Sequence, residues 1–180
     1  TTQVFAGLQN NIFRLHILAN SDSVKDQELK LKVRDNIIEY MNTLTYSGLS
    51  KSEAIELTKQ NLDKLQKIAE DTIKNEGYSY SVNLEIGNFY FPTKEYGNIS
   101  LPAGYYDGLK IEIGDAQGQN WWCSLFPPLC FVDISSGVID EESEENLKEN
   151  LSEEEFAIIT ENSDTIKFKF KLIEVFSDKQ

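Results

Sequence analysis

Residues 12–41 read IFRLHILANSDSVKDQELKLKVRDNIIEYM, and a change of hydrophobic period inside them sets the fold class. Phe13, Leu15, Ile17 and Ala19 fall on one face of a two-residue repeat, and Ile12, Arg14, His16 and Leu18 on the other. That alternation predicts a buried strand. Asn20-Ser21-Asp22-Ser23 interrupts it with residues whose short polar side chains bond nearby backbone N–H groups, and Ser23 with Asp26 has capping-box spacing with Asp for Glu. Beyond the cap, Leu29, Val33, Ile37, Met41 and Leu44 recur at spacings of four and three, which predicts an amphipathic helix.

The rest of the chain extends this pattern. Ser50 and Glu53 form a capping box for a second helix, which carries Ile55, Thr58, Leu62, Leu65, Ala69 and Thr72 on one side and ends at Gly77. The short link through Tyr46-Ser47-Gly48 predicts that the two helices pack antiparallel. From Tyr78 to Ile86 the period is two again, Gly87-Asn88 reads as a turn, and FYFPTKEY at 89–96 as a further strand with Pro92 at an edge or bulge. Leu109, Ile111 and Ile113 mark another strand, GDAQGQ at 114–119 a hairpin loop, and 120–126 a returning strand. The expected fold is α+β: two antiparallel helices packed on a mostly antiparallel sheet. Residues 1–11 are expected to be a flexible arm, 12–133 the α+β domain, and 134–180 an acidic linker with a C-terminal helix and strand. In that last part Ser152 and Glu155 cap a helix to about Thr160, and IKFKFKL at 166–172 alternates as a strand.

Charge and composition narrow the function. The 180 residues carry a net charge of −13, and 140–155 alone hold nine acids against Lys148. Beyond the short lysine-alternating stretch at 166–172 no basic face is available for phosphate backbones, so nucleic acid is not an expected partner. One histidine and two cysteines are too few for a closed Cys/His zinc site, and no metal or cofactor is expected. No window approaches the length of a membrane span. The chain opens Thr1-Thr2 and its only methionine is Met41, so a trimmed or processed form that has lost an N-terminal signal or anchor is expected.

Two blocks are distinctive beyond composition. FRLHILANSDSVKDQELKLKVRD, followed by LPAGYYDGLKIEIGDAQGQNWWCSLFPPLCF, resembles the stage II sporulation protein R family of spore-forming bacteria over about residues 12–133, and the Phe91-Pro92 and Tyr96-Gly97 steps fit it too. The resemblance implies a signalling protein, not an enzyme. Such a protein is made in the forespore and exported into the space between forespore and mother cell. There it activates stage II sporulation protein GA, a membrane-embedded aspartic protease that processes the sigma E precursor. The acidic region after Asp133 lies outside the shared blocks, and no small-molecule substrate is expected.

NWWCSLFPPLC at 120–130 holds both tryptophans and both cysteines. Pro127-Pro128 cannot continue a central strand, so the chain leaves the sheet there and can bring Cys123 and Cys130 together. A disulfide, two buried thiols and a reactive thiol are the readings. Export, which the resemblance implies, favours the disulfide. In a strand Trp121 and Trp122 point to opposite faces, so one is expected in the core. The other, with Phe126, Pro127 and Pro128, is expected to meet the partner. His16 is read as a partly buried histidine, as a pH-sensitive member of that surface, or as the base of a Cys123–His16 hydrolase oriented by Asn20 or Asp22. Asn20 and Asp22 are also expected at the partner surface, although Asn20, Asp22 and Ser23 suit a plain strand-to-helix turn.

Overall fold

The computed structural model describes residues 2–46, 48–130 and 139–160. The chain runs α1 (Thr2–Asn10), β1 (Phe13–Leu18), α2 (Val24–Thr43), α3 (Lys51–Gln60), α4 (Leu62–Asn75), β2 (Val82–Phe91), β3 (Lys94–Tyr96), β4 (Ile99–Leu101), β5 (Gly104–Ile113), β6 (Asn120–Phe126), α5 (Glu141–Asn150) and α6 (Glu153–Thr160). The class is α+β, with a four-stranded sheet in the order β2-β5-β1-β6 and a separate β3-β4 pair.

The strand-to-helix passage forms as its residues dictate. Ser23 caps α2 by accepting from the Asp26 N–H, and the α2 stripe of Leu29, Val33, Ile37 and Met41 is buried. Fully burying one such side chain contributes about 1.5–3 kcal/mol. Asn36 donates to the Thr72 hydroxyl and Tyr40 to the Asn61 side-chain oxygen, so α2 and α4 run in opposite directions. Gly77, at φ 87°, ends α4; its N–H and that of Tyr78 bond back to Lys74 and Ile73.

Several expectations change. The predicted second helix is two: Asn61 leaves helical geometry at φ −103° and ψ 6°, held by Tyr40 from outside and by its own bond to the Leu57 carbonyl. The strand expected from Tyr78 starts at Val82 and runs through Gly87-Asn88 to Phe91, with no turn there. Gly87 lies opposite Gly108 on β5, and a Cβ at either would crowd the ring of Phe89 or Phe91. The paired glycines thus make room for two aromatic rings.

The expected hairpin between β5 and β6 is absent, because β1 lies between them. β1 pairs parallel with β5 and antiparallel with β6. Its first five residues are buried on both faces, which suits the centre of a sheet and no edge.

Residues 2–10 form a helix, not a loose arm. Leu8 is fully buried, and Asn11 donates to the Glu155 carboxylate of α6, which also completes a capping box with Ser152. Residues 141–150 likewise form α5, not a structureless linker. Asp140 caps it, and Leu147 enters the same hydrophobic core as Leu8, Leu15 and Ile159. The strand expected at 166–172 lies outside the described residues.

Candidate functional site: the two faces of the β1–β6 pair

The β1–β6 register decides what each candidate residue can do. Leu15 is opposite Cys123, Ile17 opposite Trp121, and His16 opposite Trp122. Opposed residues share a face, so Cys123 and Trp121 lie on one side of the sheet and His16 and Trp122 on the other.

On the helix-covered side, Cys123 is joined to Cys130 by a disulfide, with a Cα–Cα distance of 5.0 Å. The bond closes a corner in which the Leu129 N–H returns to the Ser124 carbonyl and the Phe126–Pro127 peptide is cis. Phe126 and Pro127 are buried in this corner and Pro128 is exposed. Of Phe126, Pro127 and Pro128, all expected at a partner surface, only Pro128 is exposed, because the other two pack inside the corner. The tryptophans divide by face, but neither is wholly inside: both are half-buried. Trp121 sits under the Arg34 guanidinium of α2, 4.3 Å from its ring centre.

On the opposite side, Trp122 stacks on His16 with ring centres 3.6 Å apart and planes 14° from parallel. Burial is the main force holding the imidazole pKa at about 4, and the charges of Lys110 and Arg14 add to it. His16 is thus a neutral aromatic partner of Trp122 near neutral pH. It is turned away from Cys123, whose sulfur is already bonded, so the Cys123–His16 couple of a hydrolase is not assembled.

Next to it on the same face lies Arg14, to which the sequence assigns no role. Arg14 is fully buried, and among the described residues it has no carboxylate partner. Its guanidinium lies 4.5 Å from the ring centre of Phe91 and 4.9 Å from that of Tyr106. Nη2 donates to the Tyr96 hydroxyl at 2.9 Å, and that hydroxyl donates to the Trp122 carbonyl at 2.8 Å. Nη1 has no partner among the described residues. The Arg14–Tyr96–Trp122 relay fastens the β3–β4 hairpin over this face. The Arg in IFRLHILA breaks an otherwise apolar strand save for His16, and a charged residue facing inward on a central strand was the available signal.

Asn20 and Asp22 hold the crossover between β5 and β6. The Asn20 side-chain oxygen accepts from the Asp115 N–H at 2.8 Å, and Asp22 accepts from the Gln119 N–H at 2.7 Å. Asn20 and Ser21 both donate to Asp26, whose carboxyl they hold below its ordinary range. Gly118 donates to the Ala19 carbonyl, and a Cβ there would run into the Ser21 carbonyl. The LANSDS segment therefore closes the end of the sheet by joining two distant turns.

Among the described residues no group of His, Cys, Asp or Glu is arranged to hold a metal ion, and no helix is long and apolar enough to cross a membrane. A third feature, a cleft of about 480 Å³, opens where the end of α2, the disulfide corner and the start of α5 meet.

The family model described as stage II sporulation protein R matches residues 9–136. Stage II sporulation protein R of Bacillus subtilis (strain 168) is 35% identical over 184 aligned residues, covering 95% of this chain and 82% of the relative. No solved structure matches. The matched span takes in the buried Arg14, the LANSDS clamp and the disulfide corner, and the chain belongs to the stage II sporulation protein R family.

Proposed function

We propose that this chain is an extracytoplasmic sporulation signal that activates a membrane-embedded aspartic protease, stage II sporulation protein GA, by direct contact. The protease then processes the sigma E precursor in the mother cell. Family membership carries this reading. The Cys123–Cys130 disulfide supports it, since such bonds persist outside the reducing cytosol. The unassembled Cys123–His16 pair weighs against the hydrolase alternative.

Activation by contact requires differential affinity: the domain must bind the active protease conformation more tightly than the inactive one. Turning a 1:99 equilibrium into 99:1 needs a difference of about 5.5 kcal/mol. A rigid binding surface helps, because little ordering entropy is lost on docking. The disulfide and the Tyr96 relay both supply rigidity around β6.

The test is reconstitution of the full chain with the protease in membranes, scored by precursor cleavage. Stimulation that survives Cys123→Ser with Cys130→Ser at a temperature where the variant stays folded fits contact activation without thiol chemistry. No stimulation by the wild-type chain overturns the reading.

A further inference from the structure

We infer that the cleft between α2, the disulfide corner and α5 receives a basic–apolar segment of the partner protein, an apolar side chain with a lysine or arginine beside it. This rests on the reading of the chain as a contact activator and names where and with what chemistry the contact is made.

The cleft has two unlike parts. Its floor is apolar: Met41 and Leu44 from the end of α2, and Leu125 and Leu129 from the disulfide corner. Its rim on the α5 side carries Asp140 and Glu142, and among the described residues no lysine or arginine lines it. A volume of about 480 Å³ lies within the range of about 300–1,000 Å³ seen for binding pockets. The Cys123–Cys130 bond fixes one wall, and the α5 cap fixes the other: Asp140 accepts from the Ser143 N–H at 2.7 Å. That bond, with the others at the start of α5, holds the Asp140 carboxyl below its ordinary range, so it is ionised throughout the neutral region.

Charge complementarity selects the occupant. The first turn of α5 adds Glu141 and Glu144, and Lys148, the one base of the helix, is paired with Glu144. An anionic lipid surface would be repelled by this rim, and so would the acidic α5 of a second copy. A cationic segment is drawn to it, and its apolar residue finds the floor.

The experiment uses the full chain and labelled, end-capped heptapeptides of alternating lysine and leucine, read by fluorescence anisotropy and by amide shift mapping. Two controls replace every lysine by glutamate or every leucine by serine. The lysine–leucine peptide is expected to shift Met41, Leu44, Leu125 and Leu129, and both controls to bind more weakly. Glu142→Lys should weaken the lysine–leucine peptide about two- to fivefold at low salt and strengthen the glutamate–leucine peptide, the size of one exposed charge pair. High salt should erase that difference. Shifts that map elsewhere, or equal binding of the serine control, would overturn the inference, leaving only diffuse attraction to an acidic surface. The same Glu142→Lys variant in the protease reconstitution separates the two readings. Wild-type stimulation with an unaffected variant refutes the cleft alone. No wild-type stimulation refutes contact activation, whatever the peptides do.

Discussion

Substitution of His16 by phenylalanine should remove a specific part of the acid lability of this protein. His16 is 8% exposed, its ring is stacked on Trp122, and its pKa is lowered from 6.5 to about 4 in the folded state. Unfolding returns it to about 6.5. Between those two values the unfolded chain takes up a proton that the folded chain refuses, so stability falls as pH falls from about 6.5 to about 4. Below about 4 both states are protonated and the loss is complete. The gap between the two pKa values corresponds to about 3 kcal/mol. Asp26, Asp107 and Asp140 are held below their ordinary range, so their contributions are present above about 3.8 and fade at lower pH, in wild type and variant alike. The difference between the two proteins therefore isolates the histidine. Phenylalanine keeps a flat ring against Trp122 and does not titrate. Urea unfolding with the disulfide intact, at half-unit steps from pH 4 to pH 8, should show the wild type losing about 3 kcal/mol more than His16→Phe over that range. Parallel curves would refute the argument, as would an imidazole titration followed by NMR with its midpoint near 6.5.

Three further outcomes follow from the packing. Arg14→Met should lie within about 1 kcal/mol of wild type, since a buried charge with no carboxylate partner among the described residues gives way to an apolar chain of similar length while Tyr96 keeps its bond to the Trp122 carbonyl, whereas Arg14→Ala should cost about 3 kcal/mol through the cavity; denaturant midpoints distinguish them. Gly118→Ala should destabilise by about 1–3 kcal/mol, because the new methyl meets the Ser21 backbone carbonyl and not a yielding side chain; a fall in melting temperature checks it. Replacing both Cys123 and Cys130 by serine should cost about 2 kcal/mol, the loop-closure value for so short a ring, measured as the change in unfolding free energy against the oxidised protein.

What could be read from the residues was local. Ser23, Ser50 and Ser152 announce three helix starts because each cap is completed within three residues of chain. Gly77 and the Cys123–Cys130 corner were legible for the same reason. Strand order was not, because nothing in GDAQGQ says whether its two strands pair with each other or admit a third. The only clue was that β1 carries large apolar residues on both faces, Phe13, Leu15 and Ile17 on one and Ile12 and Leu18 beside Arg14 and His16 on the other. Gly87-Asn88 misled because a turn signal and a flat place beneath an aromatic ring use the same residue. α1 and α5 were missed because Leu8 and Leu147 are buried by contacts distant in sequence, the α1 end fixed by Asn11 with Glu155, 144 residues away. At the candidate site the residue types were legible and their sides were not. The half-turn between Cys123 and Trp122 separates the disulfide from the histidine, and no count of histidines and cysteines contains that fact.

The central place of β1 also sets a timetable for folding. Residues 13–18 can be flanked only by 107–112 and by 120–126, so the sheet closes across loops of about a hundred residues. Closing a loop of that length adds only slowly to the entropy cost, but a topology dominated by distant contacts folds late and slowly. A chain cut after α4 would hold a strand that is buried on both faces in the folded sheet, with neither neighbour available. The sheet is complete only once β5 and β6 can reach β1 from either side, so cutting the chain anywhere before Phe126 leaves β1 without its complete antiparallel neighbour.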